Sequence, residues 1–185
     1  DCTDPLFERH MHECLEKQKS KAPFIRDLLH DLGRVGTKNN PHTCTAKITF
    51  ATSPIMRKSP YAGMYFNGQG RPMDVDGYSN TLPASMGGNK TPFIDEDYLY
   101  GDAPIDWVVE YHKGLMDGSI TPEFKEAPKR LRRLTLKEAA RIQTFPDEYI
   151  FCGNKGRIYT QIGNAVPCKL AEAVAYAIVS YLENY

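Results

Sequence analysis

Apolar residues recur at helical spacing near both ends of the chain, while in the middle no period survives more than a few residues. Asp4-Pro5 pairs an N-cap with a proline suited to a first helical turn, and Leu6, Phe7, His10, Met11, Cys14 and Leu15 then return every one, three or four positions. This predicts a helix to about Gln18. Pro23 opens a second helix through Phe24, Ile25, Leu28 and Leu29, with Gly33 as its stop. Residues 33–40 are polar and glycine-bearing, which predicts a loop, and residues 43–50 (T-C-T-A-K-I-T-F) have strand composition. From 53 to 88 glycine and proline break every pattern, so only short antiparallel strands joined by turns are expected.

Helical spacing returns at 105–116, where Trp107, Val108 and Tyr111 form an apolar side and Asp117-Gly118 the end. Thr135 stands three residues ahead of Glu138, a capping box in which each side chain satisfies a free backbone N–H. The helix it starts must stop before Pro146, because the residue preceding a proline is pushed out of the α region. Residues 159–162 have strand composition, and Gly163-Asn164 is a turn signal. Pro167 suits the first turn of a last helix, in which Leu170, Val174, Ala177, Ile178 and Tyr181 recur.

These elements define an α+β chain: a helical lead-in over 1–40, an irregular antiparallel β region over 41–128, and a framework with a C-terminal helix over 129–185. Its 185 residues, 41% hydrophobic, suffice for one domain or one domain with an appendage. No apolar run approaches the roughly 20 residues that span a bilayer, so no membrane partner is expected. Asp1-Cys2-Thr3-Asp4 is acidic and polar where a signal peptide needs a basic start and an apolar run. Residue 1 is not methionine, which hints at a fragment. The five cysteines, Cys2, Cys14, Cys44, Cys152 and Cys168, are odd in number and lack CxxC spacing, so a reducing, cytoplasmic setting is expected. His10, His12 and Cys14 are too crowded for a zinc motif, and no metal is expected.

The formal net charge is zero, yet the charges are segregated. Residues 32–73 hold no acid and carry Arg34, Lys38, Lys47, Arg57, Lys58 and Arg71; residues 125–137 hold six basic residues against Glu126 alone; residues 92–110 hold six acids and no Lys or Arg. Such segregation fits a protein with one phosphate-facing side, or simply a solvated charged face. Gly68-Gln69-Gly70 does not continue as a dinucleotide fingerprint, and Gly88-Asn89-Lys90-Thr91 lacks the upstream glycine of a P-loop.

Two long segments carry a specific resemblance. R-R-L-T-L-K-E-A-A-R-I-Q-T-F-P-D-E-Y, from Arg132, and Y-T-Q-I-G-N-A-V-P, ending at Pro167, resemble motifs IX and X, the C-terminal pair of the DNA (cytosine-5)-methyltransferases. The resemblance implies a target-recognition region just ahead of motif IX, and Thr81-Leu82 looks like the Thr-Leu pair found there. It further implies a first recognition loop over residues 67–71 and a second over 85–90. Within them Arg71 can pair bidentately with guanine, Gln69 or Asn89 can read adenine or fill space in the duplex, and Thr81 with the amides of Gly87 and Gly88 suits phosphate. Leu82 and Lys90 belong to the same DNA-binding set. Gln69 and Asn89 are equally at home as turn residues without a DNA contact.

By the same resemblance Arg132, with the capping pair Thr135 and Glu138, organises the recognition region. Asn164 and Val166 would adjoin the S-adenosylmethionine donor of the full enzyme. The family's chemistry needs a Pro-Cys-Gln loop, a Glu-Asn-Val segment, a Gln-x-Arg-x-Arg strand and a glycine-rich donor turn, and none occurs here. Pro167-Cys168 is followed by Lys and reads as a helix start, so no catalytic residue is assigned and the chain alone is expected to be inactive and to bind no donor. The expected partners are double-stranded DNA and a Rossmann-like catalytic domain, on which the C-terminal helix would dock. Without that domain the helix, apolar on more than one side, would promote self-association. The alternatives are a non-enzymatic DNA-binding module and the non-catalytic subunit of a split methyltransferase.

Overall fold

The computed structural model describes residues 4–19 and 22–184; Asp1, Cys2 and Thr3 of the acidic start lie outside the described residues. Helix α1 (Pro5–Lys19) starts where Asp4 Oδ1 accepts from the Leu6 amide at 2.9 Å. Its partner is α7 (Cys168–Asn184). The Phe7 and Tyr181 rings meet edge to face at 5.1 Å, and the Tyr181 hydroxyl donates to Asp4 Oδ2 at 2.5 Å. Helix α2 (Ile25–Leu29) tightens into a 3-10 turn, His30–Leu32, and Gly33 at φ +78° ends it in a conformation that only glycine adopts cheaply.

Two short antiparallel sheets follow. β1 (Phe50–Ile55) pairs with β2 (Met64–Phe66), and β3 (Phe93–Asp95) pairs with β4 (Leu131–Arg133) in the register Phe93↔Arg133, Ile94↔Arg132, Asp95↔Leu131. A short helix, α3 (Glu96–Leu99), leaves β3 directly, and α4 (Trp107–Asp117) is capped by Asp106 and closed by Gly118 in the left-handed region. Phe50 stacks on Tyr111 at 4.5 Å and on Trp107 at 5.5 Å, giving this half an aromatic core with Tyr65, Phe66 and Phe93. The main core draws on residues far apart in the chain: Ile25 and Leu29, then Met73, Val75, Leu82 and Ile94, then Leu134, Ala139, Tyr159 and Ile162.

The capping box forms as expected: α5 (Leu136–Ile142) begins with Thr135 Oγ1 accepting from the Glu138 amide at 3.1 Å and Glu138 accepting from the Thr135 amide at 2.9 Å. Two expectations fail. The strand over 43–50 begins only at Phe50, because the Arg133 guanidinium, not a neighbouring strand, takes the carbonyls of Ala46 and Lys47. The strand at 159–162 and the turn at Gly163-Asn164 are instead helix α6 (Lys155–Asn164). Asn154 caps that helix by accepting from the Arg157 amide at 3.0 Å, and Tyr159 and Ile162, three apart, bury one face; tertiary burial overrides strand composition. Lys155–Asn184 is long and apolar enough to cross a bilayer by length and composition alone. It is nevertheless two helices, since Ala165 between them is extended, and α7 lays Ala173 and Ala177 into the protein.

Candidate nucleic-acid interface

β4 presents Leu131, Arg132 and Arg133, all buried, and the two arginines hold different parts of the molecule. Arg132 donates from Nη1 and Nη2 to the two Glu138 oxygens, each at 2.8 Å, and from Nε to Glu96 at 2.8 Å. Burial opposes its charge, but Glu138 and Glu96 more than offset that, so its pKa lies above the ordinary value. Glu138 also accepts from Asn40 Nδ2 at 2.8 Å, and Asn40 Oδ1 accepts from the Thr135 hydroxyl at 2.6 Å. Arg132, Thr135 and Glu138 therefore form one buried network that fastens the loop over 33–40 to the helix start and to α3.

Arg133 faces the glycine loops. Its Nη1 donates to the Thr91 carbonyl at 2.6 Å, and its guanidinium lies over the Phe93 ring at 5.5 Å. Burial lowers its pKa, yet the three carbonyls it reaches keep the guanidinium satisfied. Beside it runs Gly70, where a β-carbon would overlap the Thr91 carbonyl and the Arg133 guanidinium. The Gly70 amide donates to the Asn89 carbonyl at 3.0 Å, and Gly68, at φ +86°, also faces Asn89. The two glycine loops thus lie edge to edge, joined through their backbones.

The second loop rests on α6. Gly87, at φ +113°, abuts Gly156 and the Tyr159 ring, and its amide donates to Thr91 Oγ1 at 2.9 Å. The Tyr159 hydroxyl donates to the Leu134 carbonyl at 2.7 Å and bonds Thr43 Oγ1 at 2.9 Å; burial raises its pKa, so it stays a neutral phenol. Further along α6, Gly163 fits so closely over Pro83 and Ala84 that a β-carbon would overlap their backbone. Gln143 Nε2 donates to the carbonyls of Ile162 at 2.8 Å and Ala165 at 3.0 Å, satisfying the end of α6.

Of the residues singled out by sequence, Gln69, Thr81, Gly87, Asn89 and Lys90 are exposed and Gly88 is half-buried. Arg71 is half-buried, its Nη1 3.4 Å from the Gly63 carbonyl. Leu82 departs from the expectation of a DNA-facing residue: it is 3% exposed and packs in the main core, where it anchors the turn that displays Thr81. Asn164 and Val166 stand exposed at the break between α6 and α7. Arg133, Asn40, Gln143 and Tyr159 had not been picked out for these roles. Arg133 differs from Arg132 by one position in a strand buried on both faces, and nothing in the sequence separates Asn40 from Asn39.

Outside this region, α7 leaves Leu170, Tyr176, Ile178, Val179 and Leu182 exposed, the last by 73%. A cavity of about 1050 Å³ runs between α1, α2, α5 and α7, lined by Leu15, Leu28, Phe145, Leu170 and Ala173. A second, of about 700 Å³, is lined by Thr43, Leu136, Phe151 and Ile158. Asn164 and Val166 line neither.

The α+β scaffold thus holds two glycine-bearing loops between a buried arginine strand and a capped helix. Its family follows from comparison: residues 5–180 match the C-5 cytosine-specific DNA methylases, and the chain belongs to that family. It is 56% identical over 66 residues to the type II methyltransferase M.PspPI of Psychrobacter sp., covering 34% of this chain and 16% of that protein. To the type II methyltransferase M.Eco47II of Escherichia coli it is 52% identical over 57 residues, covering 31% of this chain and 14% of that one. The type II methyltransferase M1.HphI of Haemophilus parahaemolyticus is 35% identical over 78 residues, covering 41% of this chain and 21% of its own length. The matched stretches thus span about a fifth or less of these relatives.

Proposed function

We propose that this chain supplies the DNA target-recognition region and C-terminal framework of an S-adenosylmethionine-dependent DNA (cytosine-5)-methyltransferase. The observation that carries the reading is the backbone bond between Gly70 and Asn89, which joins the two loops into one edge held by Arg133 and α6. Gln69, Arg71, Asn89 and Lys90 read or grip double-stranded DNA from that edge, while Thr81 and the amides of Gly87 and Gly88 serve phosphate. Residues 41–128 carry recognition, residues 129–185 the framework, and residues 1–40 the lead-in.

The nucleophile, the activating acid and the donor turn belong to a Rossmann-like catalytic region, because Pro-Cys-Gln and Glu-Asn-Val are not in this sequence. That region flips the target cytosine and methylates its C5. Asn164 and Val166 offer one exposed edge to the donor and do not enclose it, so the residues present do not fit S-adenosylmethionine by themselves and no transfer step is assigned to them. The exposed apolar residues of α7 favour a chain that works docked on a catalytic region or subunit over a stand-alone DNA-binding module, and in isolation they favour self-association.

The test is duplex binding by fluorescence anisotropy across a salt series, with labelled methyl transfer alongside. The chain is expected to bind weakly and salt-dependently, to lose affinity with Arg71→Ala, and to transfer no methyl group. Methyl transfer by the chain alone, or binding indifferent to Arg71→Ala, would overturn the reading.

A further inference from the structure

We propose that the first turn of α6, through Lys155 and Arg157, joins Lys90 of the second loop in a phosphate-gripping ridge, so that the helical turn leading into motif X holds DNA as well as bracing the chain. This rests on the recognition reading above and adds residues to it.

Three observations carry it. Gly87 abuts Gly156, the residue between Lys155 and Arg157, so the tip of the loop and the start of α6 form one continuous surface. Lys90, Lys155 and Arg157 are all exposed, Lys90 three residues beyond Gly87 and the other two flanking Gly156. Charge accounting supplies the third. Most acids of 92–110 are already paired: Asp95 with Arg130, Glu96 with Arg132, and Asp97 and Asp102 with Arg34, while Asp76 pairs with Arg26 and Asp147 with Arg141. Among the described residues Lys90, Lys155 and Arg157 have no ion-pair partner. A chain of zero net charge therefore pairs most of its arginines internally and leaves Lys90, Lys155 and Arg157 unpaired among the described residues, together with Arg57, Lys58, Arg71 and other surface cations. Cations in that position contribute a sequence-independent term, each neutralised phosphate adding about 0.9 to the slope of log K against log salt.

The experiment titrates the full chain with several fluorescein-labelled duplexes of unrelated sequence at a series of salt concentrations. Lys155→Gln/Arg157→Gln is expected to weaken every duplex by a similar factor and to lower the slope by about 1–2. Lys155→Arg/Arg157→Lys should keep it. Lys19→Gln/Lys169→Gln removes the same charge from the α1–α7 side and should leave the slope unchanged, and circular dichroism checks that all variants fold alike. In addition, bound duplex should protect Lys155, and not Lys169, from amine acetylation. An unchanged slope or an unprotected Lys155, with Arg71→Ala still weakening the complex, overturns this proposal and leaves the recognition reading standing. Absence of salt-dependent binding in the parent chain overturns both.

Discussion

Replacing Glu138 with alanine tests whether one buried carboxylate holds the framework together. Glu138 is fully buried and accepts from both Arg132 terminal nitrogens, from Asn40 Nδ2 and from the Thr135 amide, all within 2.9 Å. Its removal strands a guanidinium that is 7% exposed, with Glu96 left to neutralise one edge. Breaking a buried pair from one side costs about 3–5 kcal/mol, and the melting temperature of a domain this size moves by about 2–4 °C per kcal/mol. The midpoint should therefore fall by at least roughly 6 °C. Urea and thermal unfolding report it through Trp107, the chain's single tryptophan, stacked in the aromatic core. The decisive comparison is Arg132→Met/Glu138→Leu, which removes both charges; apolar replacement of a whole buried pair is often close to neutral. Asn40 and Thr135 still lose partners there, so the double variant should be destabilised, but less than Glu138→Ala. A double variant that loses as much as the two single variants together would refute the claim that a stranded charge dominates.

Gly163→Ala should cost about 1–3 kcal/mol through overpacking and weaken duplex binding, because a β-carbon there overlaps the backbone of Pro83 and Ala84 beside Thr81; full stability would contradict the close approach. Burial pushes the Asp106 carboxyl up to about 6 despite hydrogen bonds from the Val108 amide and the Tyr61 hydroxyl. Because the folded state holds this proton more tightly, its stabilisation is full below the ordinary 3.8 and is lost as pH rises through about 6. The loss is at most roughly 3 kcal/mol. Asp106→Asn, an equally good cap, should abolish that slope in urea unfolding and stabilise the chain at neutral pH; an unchanged slope would contradict the assignment. Asp147 is the opposite case: its hydrogen bond from Arg141, with Lys137 nearby, lowers it to about 2, so its contribution is present above 3.8 and fades as pH falls towards 2. Asp147 is half exposed and the pair is screened, so Asp147→Asn should cost less than about 1 kcal/mol at neutral pH; a larger loss in urea unfolding would contradict that.

Local signals were legible wherever a short-range bond fixes the backbone. Thr135 and Glu138 satisfy each other's amides within four residues, Asp4-Pro5 starts α1, and Gly118 ends α4, each close to where its spacing predicts. The failures arise where partners are remote. The carbonyls of Ala46 and Lys47 are met by Arg133, nearly ninety residues away, and no pattern within 43–50 records a side chain replacing a strand. Tyr159 and Ile162 were misread for the same reason: strand composition and a three-residue helical repeat coincide over so short a stretch, and only burial against Leu134 and Gly87 selects the helix. The loops over 67–71 and 85–90 were legible as glycine-rich turns, but that Arg71 folds back on Gly63 and that Leu82 points inward depend on the packing around them.

The remote bonds converge on the break between α6 and α7. Gln143 ends α5 and holds the carbonyls of Ile162 and Ala165, and its own carbonyl accepts from the Cys168 amide at 3.2 Å. Thr144 Oγ1 accepts from the Lys169 amide at 2.9 Å. The first turn of α7 is thus tied to the end of α5, whose start is the Thr135–Glu138–Arg132 network. On its other side the same break is bounded by Gly163, seated on the turn that carries Thr81. Displacing α7 must therefore either break the Gln143 and Thr144 bonds or carry α5 and α6 along, and α6 cannot move without disturbing Gly87 and Pro83. The exposed face of α7 and the two glycine loops are accordingly opposite ends of one mechanical unit.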